Sequence, residues 1–132
     1  MKYSEIEIFH ILYLSIKEVY EELIERYMKD SDALICMLLF KEYPVTDHEL
    51  FTVSRYDREL KFIYSCFRVQ EDKNSDVLTY GIHISVKDDP SFDEIIALTD
   101  EKQEEIQDIL RSSLSHFKYS CIREIDGFIK ET

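Results

Sequence analysis

Residues 78–86 constrain the fold more than any other stretch of this chain. Leu78, Tyr80, Ile82, Ile84 and Val86 alternate with Thr79, Gly81, His83 and Ser85. Period-two alternation puts the five apolar side chains on one face of a β-strand. A strand with one apolar face needs neighbours in a sheet and a cover over that face. The rest of the chain offers both.

The cover comes from the two ends. Over residues 3–29, Phe9, Leu12, Ile16, Val19, Tyr20, Leu23, Ile24 and Tyr27 recur at steps of three and four, with Glu18, Glu21, Glu22 and Glu25 opposite. That is the pattern of an amphipathic helix. Near the C-terminus Ile106, Ile109, Leu110, Ser113, Phe117, Cys121, Ile125 and Phe128 keep helical spacing. A single helix over 100–127 would run roughly 40 Å, so a break near 116–119 is weighed against it. Ser91 followed by Glu94 has the form of a capping box, which predicts a short helix over 92–98.

Three further runs supply strands. Residues 33–40 are continuously apolar, as in a strand buried on both sides or central in a sheet; Pro44 ends that region because proline cannot donate to a ladder. Residues 50–55 and 61–69 read as a hairpin joined through 56–59, and 70–76 form a polar loop. Connections this short favour antiparallel pairing. The expected order is α-β-β-β-β-α-α: an α+β, two-layer fold with a long N-terminal helix, a four-stranded, mainly antiparallel meander sheet, and a short helix plus a long helix at the C-terminus. With 132 residues, the chain has the size of one domain spanning 1–132.

Charge then limits function. There are 28 acids against 16 bases, a net charge of -12. Binding DNA or RNA through phosphates needs basic patches, and adhesion to anionic membranes needs them too. Neither is expected. No run approaches the ~20 apolar residues of a membrane span, and the N-terminal residues are interrupted by Glu5, Glu7, Lys17 and Glu18, unlike a secretory signal. The expected compartment is the cytoplasm.

Catalytic signatures are sparse. The two glycines, Gly81 and Gly127, are too few and too far apart for a phosphate-cradling loop. No cofactor is expected. Cys36, Cys66 and Cys121 are widely spaced among apolar neighbours, as buried thiols rather than a disulfide framework or a metal site. Asp47-His48-Glu49 is the closest histidine and carboxylate grouping. In a loop it could serve as a general base or metal ligand, though a solvated loop is the commoner arrangement. His83 alternates with the apolar face of its strand, so it is expected to meet solvent, a polar group or a partner.

The acids are unevenly spread. Nine lie between Asp88 and Asp108, against one base, Lys102. Asp93, Glu94, Asp100 and Glu101 are accounted for by two predicted helix starts, where carboxylates favour the dipole. Glu104, Glu105 and Asp108 are not. In an α-helix, Asp100–Glu104, Glu101–Glu105 and Glu104–Asp108 would be like-charge pairs four apart, each destabilising by ~0.2–0.5 kcal/mol. A solvated face would account for them, and so would docking to a basic protein. The expected partner-binding residues are therefore Asp100, Glu101, Glu104, Glu105 and Asp108. Small size, acidity and missing catalytic motifs fit an inhibitor of immunity type that neutralises a basic, nuclease- or toxin-like protein. A homodimeric adaptor or secretion-type chaperone is the alternative, and a small enzyme using Asp47, His48 or Glu49 the third reading.

Overall fold

The computed structural model describes residues 3–29, 34–37, 48–70 and 72–131. Its elements are α1 (Glu5–Tyr27), β1 (Leu34–Met37), β2 (His48–Arg55), β3 (Arg58–Gln70), β4 (Leu78–Val86), β5 (Asp89–Thr99), a 3-10 helix (Asp100–Glu105) and α2 (Ile106–Glu131). The strands form one antiparallel sheet in the order β1-β2-β3-β4-β5. Both helices lie on one face, α1 across β4 and β1, α2 along β5 and against α1. The α+β class, the terminal helices and the antiparallel meander are those expected from the sequence.

Among the described residues the sheet has five strands rather than four. Residues 92–98 belong to β5 and not to a capped helix. Phe92, Ile96 and Leu98 are buried while Asp93, Ile95 and Ala97 are exposed, which is period two. Phe92, Ile95 and Ile96 also suit a helical spacing, so the run is ambiguous by pattern. Pairing decides it. A helix of seven residues gains little after nucleation, whereas β5 gives β4 a full partner from Thr79↔Thr99 to Ser85↔Asp93. Ser91 directs its hydroxyl and amide to Asp89 instead of capping a helix. Pro90 sits where the β4–β5 register shifts, a position that needs no ladder donor.

The β1 run is also placed differently. β1 is an edge strand among the described residues, and Leu34 is 57% exposed. Residue 33, residues 38–40 and the predicted stop at Pro44 lie outside the described residues. The hairpin turn is tighter than 56–59: Arg55 pairs with Arg58, leaving Tyr56 and Asp57 as the turn, with Tyr56 in the left-handed region at φ 55. α2 runs unbroken through 116–119 for 26 residues.

The core lies between helices and sheet. Ile8, Leu12, Ile16 and Leu23 of α1 and Leu110, Phe117, Cys121 and Ile125 of α2 meet Val53, Tyr64, Ile82 and Ile84. At its centre Phe62 stacks on Phe51 with ring centroids 4.3 Å apart and receives Phe92 edge-on at 5.4 Å. α1 begins with Ser4 accepting from the Glu7 amide, while the Ser4 hydroxyl donates to the Glu7 carboxylate. Polar ties then fix the helices. The Tyr27 hydroxyl donates to Asp126 Oδ1 at 2.8 Å, and burial and this bond push its pKa up to about 12. Arg55 donates to the Ile129 carbonyl at 2.8 Å, and Arg68 meets Glu5 at 3.0 Å.

Candidate functional site

The expected acidic face spans two kinds of helix. Residues 100–105 wind as 3-10 and α2 takes over at Ile106. In a 3-10 helix residues three apart eclipse one another. Gln103 and Ile106, both buried, therefore point inward together below Thr99. Asp100 stands over Gln103, whose amide nitrogen donates to it. Glu101 stands over Glu104. The spacings Asp100–Glu104 and Glu101–Glu105 lose the closeness they would have in an α-helix, and Glu104–Asp108 keeps much of it. Glu101, Glu104, Glu105 and Asp108 are exposed, Asp100 half-buried.

None of these four exposed carboxylates has an ion pair among the described residues. Many, though not all, of the other described acids are engaged; Glu18, Glu21 and Glu25 on α1 are exposed without an ion pair among the described residues. Lys118 meets Glu22 at 2.9 Å, Lys61 meets Glu49 at 3.2 Å, His116 meets Glu94 at 3.3 Å, and Arg58 and Arg26 meet Glu131 and Asp126. Asp89, Asp93 and Glu94 belong to this engaged group. Asp93 pairs with His83 across the outer face of the sheet, and Glu94 reaches His116 on α2. The helix-dipole account of Asp93 and Glu94 is thus replaced by specific partners, because no helix starts there.

A second acidic cluster joins the sheet to α2. Asp89, at the start of β5, is hydrogen-bonded to Glu124 on α2. The pair borders a cleft of about 460 Å³ that Arg58, Lys87, Arg123 and Phe128 also line. Two carboxyls in contact cannot both ionise freely, so one keeps a proton. The surroundings choose which. The bond from Glu124, with the Ser91 hydroxyl and amide, holds Asp89 below its ordinary value. Glu124, bonded to Asp89 and partly buried, is pushed up to about 7. The pair can hold and release one proton near neutrality. Its members lie 35 residues apart in sequence and meet only because residues 89–99 form β5, so no local signal marks it.

The pair makes stability depend on pH in a defined direction. A raised folded pKa means that the native state binds the proton more tightly than the unfolded chain. The contribution of Glu124 is complete below its ordinary 4.5 and is lost as pH rises through about 7. That of Asp89 runs the other way, present above its ordinary 3.8 and lost as pH falls below it. Glu124→Gln keeps a donor for Asp89 and cannot ionise. It should match the natural protein near pH 4.5 and exceed it by about 1 kcal/mol at pH 8, a figure reduced for solvent screening. Urea midpoints at the two pH values measure this; parallel curves for the two proteins would refute it.

The Asp47-His48-Glu49 grouping is only partly described. Asp47 and the His48 side chain lie outside the described residues. His48 and Glu49 open β2 rather than occupying a loop, and the Glu49 carboxylate is taken by Lys61. Burial raises the Cys66 thiol to about 11 and Cys121 well above its ordinary value, so neither supplies a thiolate. Among the described residues no group of three or more His, Cys, Asp or Glu is placed to hold a metal ion, and no helix is long and apolar enough to cross a membrane. No family model, curated protein or solved structure matches the chain.

Proposed function

We propose that this chain is a protein-binding module that captures a basic partner through Glu101, Glu104, Glu105 and Asp108, acting as an inhibitor of immunity type on a nuclease- or toxin-like protein. One observation carries the reading. These four carboxylates stand exposed on one short stretch without an ion pair among the described residues, Lys102 being the stretch's one base, whereas acids such as Glu22, Glu49 and Glu94 are paired with cations. Unpaired surface charge of one sign speeds encounter with an oppositely charged partner and disfavours wrong ones. Asp100 plays a supporting part, positioned by Gln103 at the head of the stretch. We place its action in the cytoplasm; Cys66 and Cys121 are free thiols, as in proteins kept in a reducing compartment.

The test combines Glu101→Gln, Glu104→Gln, Glu105→Gln and Asp108→Asn. All four side chains are exposed, so the fold should hold. Relief of like-charge contacts such as Glu104–Asp108 should stabilise the variant slightly, by ~0.2–0.5 kcal/mol. Pull-down from the native host at low salt should retain a basic protein on the natural chain and lose it on the variant. Retention of no basic protein at low salt would remove the proposal's basis.

A further inference from the structure

We draw no further inference here: the strongest candidate, the open face of the sheet around Ile63, Phe67 and Ile95, is an unpartnered apolar surface, and nothing in the structure shows what covers it.

Discussion

Replacing Gly81 with valine should destabilise the protein by about 3 kcal/mol, the upper part of the range for overpacking. Gly81 lies in the middle of β4 with no unusual backbone angle, so its role is steric. A Cβ there would run into the Ile96 carbonyl of β5 and stand 2.6 Å from the Phe67 ring. The Phe67 ring, on β3, lies across the glycine and covers the backbone it leaves bare, as aromatic partners do for strand glycines. The ring could swing away from an added methyl, but the carbonyl belongs to the β4–β5 ladder and cannot move without loosening it. Gly81→Ala should therefore also destabilise, by roughly 1–2 kcal/mol, against the usual gain from replacing a strand glycine. Chemical denaturation of the two variants gives both values. A neutral or stabilising Gly81→Val would mean that β5 is not paired where it is described.

Phe62→Ala should have the largest effect of any single substitution considered, about 3–5 kcal/mol. Phe62 is fully buried and links three strands, stacking on Phe51 of β2 and receiving Phe92 of β5 edge-on. Its removal leaves a cavity that these neighbours cannot fill without breaking register. Phe62→Leu keeps much of the volume and should lose about half as much. Both are measured by urea midpoints, and cavity collapse would appear as an unusually small loss for alanine. Phe92→Ala should couple to Phe62→Ala in a double-mutant cycle, because the two rings touch; independent losses would place residue 92 outside the core.

How far the sequence revealed this fold depended on the length and purity of each pattern. α1, β4 and α2 carry long, unmixed periods and were legible to within a few residues. The pattern over β5 is ambiguous because Phe92, Ile95, Ile96 and the Ser91–Glu94 pair satisfy a helix and a strand alike. Only the need of β4 for a partner separates the two, and that need is tertiary. β1 looked central because its run is apolar throughout, yet an edge strand can carry the same residues. The acidic residues were legible as a group and misjudged in part. Their division into an engaged set, Asp89 to Glu94, and a free set, Glu101 to Asp108, depends on His83, His116, Ser91 and Glu124 being brought to the first set by folding. The 3-10 winding, set by the inward positions of Gln103 and Ile106, was likewise invisible to a purely α-helical spacing argument.

We propose that the acids at 101–108 select a basic partner. The most direct measurement is the association rate of the captured partner with the natural chain and with the Glu101→Gln, Glu104→Gln, Glu105→Gln, Asp108→Asn variant, each at low and high salt. The natural chain should associate about ten-fold or more faster at low salt than at high salt, and the variant should lose most of that acceleration. Equal rates for the two proteins at low salt would contradict the account.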